Sequence, residues 1–219
     1  MFTVITRATS RQLTTLDNLK LELDISGTAQ DEKLQRLIDR ASAAVCSYLR
    51  VPAANDGSVT LGLETIAETF WQSPWTGSRY NTLMLARMPV TEVVSVVAAG
   101  EPIDLDDIEI DGAAGILRRV RGSSLRAAEC GRRRTVVTYK AGWTLPGTAD
   151  FTLPLPIEGA TIGLIRGARF AATRDPAVKS EWTTDIERVD YWVGQIGENG
   201  AFPPDIAATL DPFCYESVG

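Results

Sequence analysis

The sequence of 219 residues contains no histidine, and it has few cysteines and lysines. Without histidine, Ser-His-Asp and Cys-His catalysis, histidine-based metal sites and imidazole pH switches are excluded. The three cysteines, Cys46, Cys130 and Cys214, follow one another at equal intervals of 84 residues and form no Cys-x-x-Cys pair. The sequence therefore predicts neither a zinc site nor a disulfide framework, and the odd cysteine count favours a reducing compartment.

Long apolar runs are also missing. No stretch approaches the roughly 20 apolar residues that a membrane-spanning helix needs. Residues 1–11 are polar and lack the apolar segment of a signal peptide. Neither a Gly-x-x-x-x-Gly-Lys phosphate loop nor a Gly-x-Gly-x-x-Gly dinucleotide fingerprint occurs between a strand and a helix. We therefore expect no membrane segment and no cofactor, and carboxylate pairs or a carboxylate-held cation are the remaining route to enzyme chemistry.

The overall composition is that of an ordinary globular protein, with 44% hydrophobic and 23% charged residues. There are 22 basic and 28 acidic side chains, for a net charge of −6. Most of this excess lies in residues 151–219, which hold ten acidic and five basic side chains. A protein that grips DNA usually presents a basic stripe. The balance therefore argues against tight DNA binding and suits a surface past which DNA slides.

Hydrophobic periodicity divides the chain into three regions: helices in 1–57, a β-domain in 58–150, and a helix, an arm and a tail in 151–219. Apolar spacing predicts helices from Leu16 to Leu23 with a Thr14 or Thr15 cap, from Ala29 to Leu49, from Ile157 to Ala172 and from Ile206 to Leu210. Residues 179–195 are ambiguous, with a strand or extended arm favoured. Alternating β-branched residues predict six strands, at 59–70, 83–86, 90–98, 108–110, 116–120 and 135–140. The fold class is α+β, with a large antiparallel β-domain inserted between helices.

Two charge runs of opposite sign lie next to each other in the β-domain. Six acidic residues crowd the first run, in which Pro102 and the strand-like Ile108 and Ile110 favour a solvated hairpin over a cation site. Seven arginines in seventeen residues form the second run, which could face phosphates or a partner, or could pair with the acidic run within the chain. The acids are Glu101, Asp104, Asp106, Asp107, Glu109 and Asp111, and the arginines are Arg118, Arg119, Arg121, Arg126, Arg132, Arg133 and Arg134.

Small residues recur every fourth position in the third region, at Gly159, Gly163, Gly167 and Ala171. Each glycine costs roughly 1 kcal/mol relative to alanine in a helix interior. Three of them in register predict a smooth ridge that another helix approaches closely, from the same chain or from a neighbour. The aromatic residues of the β-domain, Trp71, Trp75, Tyr80 and Trp143, could form a ligand platform, although such residues more often fill a β-domain core or edge.

Several motifs in order along the chain resemble the head–tail connector (adaptor) proteins of tailed phages and gene transfer agents. The opening resembles them through Leu13-Thr14-Thr15-Leu16-Asp17-Asn18-Leu19-Lys20-Leu21-Glu22-Leu23-Asp24, followed by residues 31–38 and 41–49. The middle does so through Arg87-Met88-Pro89-Val90 and Val137-Thr138-Tyr139-Lys140-Ala141-Gly142-Trp143. The ending does so through Phe202-Pro203-Pro204-Asp205-Ile206-Ala207-Ala208-Thr209-Leu210-Asp211-Pro212-Phe213. Each motif consists of packing and turn residues, and their order carries the resemblance.

The resemblance implies a structural virion protein and not an enzyme. Members of this family form a ring, commonly of twelve copies, under the portal. The ring extends the DNA channel and docks the stopper or tail-completion protein. For this chain it implies a small helical bundle with the β-domain inserted, assembly in the bacterial host cytoplasm, and a place in the neck of the particle. Double-stranded DNA would pass through the lumen without sequence-specific binding.

The resemblance also suggests which residues meet partners. The two charge runs would pair between neighbouring subunits, and the glycine ridge would pack closely in the bundle or against a neighbour. The segment after Phe202, with Pro203, Pro204 and Phe213, would reach towards the portal. Two alternatives stay open: a lectin-like or cation-dependent carbohydrate-active β-domain that uses the acidic run with Trp71 and Trp75, and a nonspecific DNA-binding protein that works through the arginines.

Overall fold

A computed structural model gives the fold and describes residues 2–71, 82–120, 134–148, 150–172, 180–183, 187–190 and 202–215. The chain forms two compact units, each built from separated stretches of sequence. The helical unit comprises residues 11–51 and 145–219. The sheet unit comprises residues 1–10 and 52–144. The sheet unit therefore takes in the first ten residues together with the long segment that interrupts the helical unit.

The helical unit contains α1 (Leu16–Glu22), α2 (Asp31–Tyr48), α3 (Leu155–Ala172) and α4 (Pro204–Leu210). The Thr15 side chain caps α1 by accepting the backbone N–H of Asn18 at 3.1 Å, which confirms the predicted cap. The buried face of α2 repeats every three or four residues and packs against α3. This face consists of Leu34, Ile38, Ala41, Ser42, Val45 and Cys46.

A buried carboxylate joins the two sequence segments of the helical unit. Glu158, in the first turn of α3, is only 8% exposed. Its Oε1 accepts hydrogen bonds from Thr14 Oγ1 and Asn18 Nδ2, both at 2.9 Å. Thr14 is fully enclosed, and the adjacent Leu13 donates its backbone N–H to Ser42 Oγ on α2 at 3.0 Å. These hydrogen bonds therefore connect α1, α2 and α3 at the N-terminal end of α1.

The sheet unit contains two antiparallel sheets. Five strands pair in the order β1-β2-β8-β4-β5, and three more pair in the order β3-β7-β6. The strand bounds are β1 (Phe2–Thr6), β2 (Glu64–Trp71), β3 (Thr82–Met84), β4 (Val90–Ala98), β5 (Glu101–Ile103), β6 (Ile108–Asp111), β7 (Ile116–Arg119) and β8 (Arg134–Ala141). A separate hairpin of β9 (Ser180–Thr183) and β10 (Glu187–Asp190) belongs to the other unit.

The hydrophobic core of the sheet unit takes residues from both of its sheets. Ile66, Val137 and Tyr139 come from the centre of the five-stranded sheet, and Leu83 and Leu117 come from the three-stranded one. Gly142 follows β8 and has a φ of +108°. Its α-carbon lies so close to the Gly62 backbone that no side chain would fit. The arrangement confirms the α+β class and the predicted antiparallel β-domain.

The predicted elements agree with the structure except at short strands. β4 has the predicted bounds, and all six predicted strands and four helices are present. The ambiguous region 179–195 contains the β9–β10 hairpin. β1 and β5 were not predicted, because five and three residues show too little alternation to stand out. The strand predicted at 59–70 begins later, at Glu64.

Replacing Glu158 with alanine should destabilise the helical unit strongly. The change removes the acceptor of two hydrogen bonds and leaves the buried Thr14 hydroxyl unpaired. We expect a loss of about 2–3 kcal/mol in the free energy of unfolding, measured by urea denaturation. Glu22→Ala is the matched control, because Glu22 lies on exposed surface 3.5 Å from Arg166 and should change stability by less than about 0.5 kcal/mol. Equal losses in both variants would contradict the structural role of Glu158.

Candidate interaction surfaces

A groove lies between α1 and α3 in the helical unit. It has a volume of about 320 Å³. Leu21 and Leu155 are 78% and 67% exposed at its rim, and Arg166 and Glu22 lie 3.5 Å apart at its wall. The remaining lining residues are Asn18, Glu158, Gly159, Ile162 and Gly163. Exposed leucines beside glycine backbone suit an apolar segment that approaches closely, and they offer little to a polar small molecule.

The predicted glycine ridge splits into a covered and an open part. A Cβ built at Gly163 would lie 3.3 Å from Ile206 Cδ1, so α4 packs there. At Gly159 and Gly167 no described atom lies within 4 Å of such a Cβ. Close approach by a helix of the same chain therefore explains one glycine of the ridge. The other two face open space and stay a predicted contact with a neighbour.

The acidic run supplies caps for tight turns. Asp104 accepts the backbone N–H of Asp106 at 3.1 Å at the start of a short 3₁₀ helix, Leu105–Asp107. Asp111 accepts the backbone N–H of Ala114 at 3.1 Å in the turn between β6 and β7. Across the described parts of the chain, no three acidic or cysteine side chains converge as metal ligands would. Turn formation accounts for these two aspartates.

The acidic and basic runs share the β6–β7 hairpin. The register sets Glu109 opposite Arg118 and Ile108 opposite Arg119. Glu109 and Arg118 are both exposed, and opposite charges that face each other across a ladder are favourable by a few tenths of a kcal/mol. The register thus brings this part of both runs side by side within the chain, as one of the two predicted alternatives requires. Arg134 begins β8 opposite Trp71, whereas Arg121, Arg126, Arg132 and Arg133 lie outside the described residues.

Trp71 and Trp143 cannot form one aromatic platform. Trp71 pairs with Arg134 at one end of the β2–β8 ladder, and Trp143 follows the other end of β8. Nine residues of extended chain separate these positions, or roughly 30 Å. Trp71 is 63% exposed. Trp75 and Tyr80 lie outside the described residues, so the structure gives the proposed carbohydrate platform no support.

The segment from Phe202 to Tyr215 packs on the C-terminal end of α2. The rings of Phe202 and Tyr48 are 4.5 Å apart, and the Tyr48 hydroxyl donates to Asp211 Oδ1 at 2.6 Å. This hydrogen bond, aided by burial and the negative charge, raises the pKa of Tyr48 to about 12. Leu210 is fully buried, and Pro204 opens α4. The half-buried Phe213 lies in the 3₁₀ turn Asp211–Phe213. Contact of this segment with a portal stays a prediction.

A polar cluster inside the sheet unit was not predicted from sequence. Glu68 Oε2 accepts the backbone N–H of Ala86 and the hydroxyl of Tyr139, both at 2.9 Å. Burial raises the pKa of Glu68, and burial together with the Glu68 charge raises the pKa of Tyr139. The buried Arg87 donates to the carbonyl of Thr60, and its guanidinium carbon lies 5.6 Å from the centre of the Phe2 ring. The signal available in the sequence was the spacing of Glu64, Ile66 and Glu68, which places both glutamates on the same face of a strand as an apolar residue.

Comparison with known proteins gives a family match for the N-terminal part of the chain. The model of the family described as "Phage gp6-like head-tail connector protein" matches residues 13–70. These residues include α1, α2 and almost all of β2, so the match contains the Leu13-Thr14-Thr15 opening. The match confirms the resemblance predicted from the sequence, and the family is one of structural connectors and not of enzymes. A search of curated protein sequences found no match.

Two solved structures share the fold along the whole chain. One is the "Neck of empty GTA particle computed with C6 symmetry", with a TM-score of 0.55 and 14% sequence identity. The other is the "Virion of native gene transfer agent (GTA) particle", with a TM-score of 0.56 and 16% identity. In each case the alignment covers 100% of this chain and 97% of the other. No helix in the described ranges is long and apolar enough to cross a bilayer.

The buried Glu68 should make stability fall as pH rises. A carboxyl whose pKa is raised in the folded state binds its proton more tightly there than in the unfolded chain. Stability is therefore lost between the ordinary glutamate pKa, near about 4.3, and the raised value. Relative to Glu68→Gln, the wild type should lose free energy of unfolding across this range and level off above it. Urea denaturation from about pH 4 to 7 measures the difference. Glu92→Gln, at an exposed carboxylate, is the control, and a flat difference for Glu68→Gln would contradict the assignment.

Proposed function

We propose that this chain is a head–tail connector that forms a homo-oligomeric ring under the portal of a phage-like particle. The ring extends the DNA channel and docks the stopper or tail-completion protein, and the protein resides in the neck of the virion. The observation that carries this proposal is the family match over residues 13–70, joined by fold likeness to neck structures over the remaining length. A head–tail connector has a structural role, so no catalytic site is required.

The interaction surfaces suit assembly better than chemistry. Leu21 and Leu155 stand exposed beside the open Gly159 in the described groove, and the polar side chains there are engaged with one another, Asn18 with Glu158 and Arg166 with Glu22. The C6 symmetry of one of these neck structures supports a ring, and a ring of twelve copies is compatible with that symmetry. The net charge of −6 suits a channel wall along which DNA passes without adhering.

Partner contacts are assigned to three surfaces within this proposal. The open part of the glycine ridge meets a neighbouring copy, and the arginines of the basic run that lie beyond β7 pair with acidic residues of a neighbour. The segment that begins at Phe202 meets the portal. Within the chain this segment is held by the Tyr48–Asp211 hydrogen bond, by a backbone hydrogen bond from Tyr215 to the carbonyl of Leu49 and by the buried Leu210. The portal therefore meets the segment packed in this position.

Electron microscopy of the purified chain, alone and mixed with the portal protein of the same particle, tests the proposed function. We expect rings, or added density beneath the portal that follows the portal's rotational symmetry. The portal alone and the chain mixed with bovine serum albumin are the controls. A chain that remains monomeric in both samples, with no added density under the portal, would contradict the connector role.

Alanine at the open glycines separates their effect on folding from their effect on assembly. Gly159→Ala and Gly167→Ala meet no described atom, so each should raise the free energy of unfolding of the isolated chain by about 0.5–1 kcal/mol. Both should weaken ring assembly, because the added methyl occupies the space left for a neighbour. Gly163→Ala is the control, since its methyl would press on Ile206 within the chain. Stabilised variants that assemble normally would remove the glycine ridge from the interface.

A further inference from the structure

The groove between α1 and α3 contains a buried carboxylate whose described partners are neutral. Glu158 lines the groove and is only 8% exposed. The two groups that donate to it, Thr14 Oγ1 and Asn18 Nδ2, are uncharged and bond the same oxygen, Oε1. Glu22 and Arg166 on the groove wall lie 3.5 Å apart and offset each other's charge. Burying a carboxylate without a cation is costly, and the first turn of α3 offsets only part of that cost. The groove would therefore stabilise a positively charged group.

The rim of the same groove is apolar. Leu21 and Leu155 are 78% and 67% exposed, and a Cβ built at Gly159 would meet no described atom. Covering exposed apolar side chains is favourable in water, and backbone that lacks a side chain admits a close neighbour. A segment that fits the groove therefore combines a cationic group with apolar and small side chains.

The arginine run supplies such a segment. Residues 118–134 contain seven arginines and one acidic residue, the largest positive excess in the sequence. Within this run, residues 121–133 connect β7 to β8 and lie outside the described residues. They contain Ser123-Ser124-Leu125-Arg126-Ala127-Ala128, in which small and apolar side chains flank an arginine. A connection of this length can reach at most roughly 20 Å beyond its ends before it returns, which is enough to meet a neighbouring copy.

The charges of the two units are unequal. The sheet unit, which contains the arginine run, has eleven acidic and eleven basic side chains. The helical unit, which contains the groove, has 17 acidic and 11 basic side chains and so holds the whole net charge of −6. Opposite charges steer association and disfavour contacts between like surfaces. The charge distribution therefore directs the arginine run of one copy towards the helical unit of another.

We propose that residues 121–133 of one copy occupy the α1–α3 groove of the next copy, with Arg126 beside the Glu158 carboxylate and Leu125 against the exposed Leu21. The inference rests on the homo-oligomer proposed above and names the surface that the arginines meet within it. The donating segment belongs to the sheet unit and the accepting groove to the helical unit. Such an interface is head-to-tail, as a ring of more than two copies requires.

Photo-crosslinking identifies the segment that reaches the groove. The photoreactive amino acid p-benzoylphenylalanine replaces Leu21 in the full chain, and it replaces the exposed Glu32 on α2 as the control. An equal mixture of ¹⁵N-labelled and unlabelled protein is irradiated with the portal protein present, and the joined peptides are read by mass spectrometry. We expect the probe at position 21 to join residues 121–133 of a copy with the other label. Products within one chain, to another segment, or equally from position 32 would overturn the inference.

Charge at the groove rim supplies an independent test. Leu21→Arg places a positive charge where the arginines arrive, whereas Leu21→Glu places a negative charge there. Since Leu21 is mostly exposed, both variants should retain the melting temperature of the monomer. We expect ring formation, followed by sedimentation, to be about tenfold weaker for Leu21→Arg than for Leu21→Glu. Equal weakening of both variants, or the reverse order, would overturn the inference.

A compensating pair of changes tests the assigned arginine. Arg126→Glu should weaken ring formation, Arg126→Lys should stay near wild type as the charge-keeping control, and the double variant Leu21→Arg with Arg126→Glu should recover most of the loss. A double variant that assembles no better than Arg126→Glu, beside a wild type that forms rings, would overturn the inference and leave the connector role standing. Failure of the wild type to assemble even with the portal would overturn the connector role itself, and the inference with it.

Discussion

The Glu158 carboxylate is the interaction on which the helical unit depends, because it joins two stretches of chain that the sheet unit separates. It accepts hydrogen bonds from Thr14 and Asn18, which precede it by 144 and 140 residues. Ordering so long a loop costs entropy, yet that cost rises only slowly with loop length. The hydrogen bonds therefore tolerate an inserted domain of almost any size. The helical unit holds most of the family match, residues 13–51 of 13–70.

The sheet unit is held by a different kind of constraint. Glu68 and Tyr139 share a hydrogen bond beneath the sheets, and Arg87 lies over Phe2 while it bonds the Thr60 carbonyl. Arg87 thereby connects β1 with the turn before β2 and the segment before β4. Burying polar groups is costly unless they are paired. The Glu68–Tyr139 pairing therefore favours one register over its alternatives, whereas Nε and Nη2 of the buried Arg87 have no described hydrogen-bond partner. β1 is thus anchored on its inner side by the Phe2 ring.

Much of the fold was predictable from the sequence, because its longer elements have a strong period. The α2 face from Leu34 to Cys46 and the whole of β4 follow apolar spacing alone. β1 and β5 were missed since a strand of three to five residues owes its existence to the neighbour with which it pairs. The roles of Glu158 and Glu68 could not be predicted from the sequence either. Each is an ordinary glutamate until folding brings donors to it from residues 140 and 71 positions away.

The predicted surfaces show that a run of charges or of small residues can serve contacts within one chain or contacts between chains. Gly163 is explained by Ile206, and Asp104 by the turn that it caps, so folding within one chain accounts for both. Gly159 and Gly167 remain unexplained by any described contact. A helix that keeps glycine where alanine would be more stable loses stability as a monomer. In the homo-oligomer proposed above, contact with a neighbouring copy at these two positions would offset that cost.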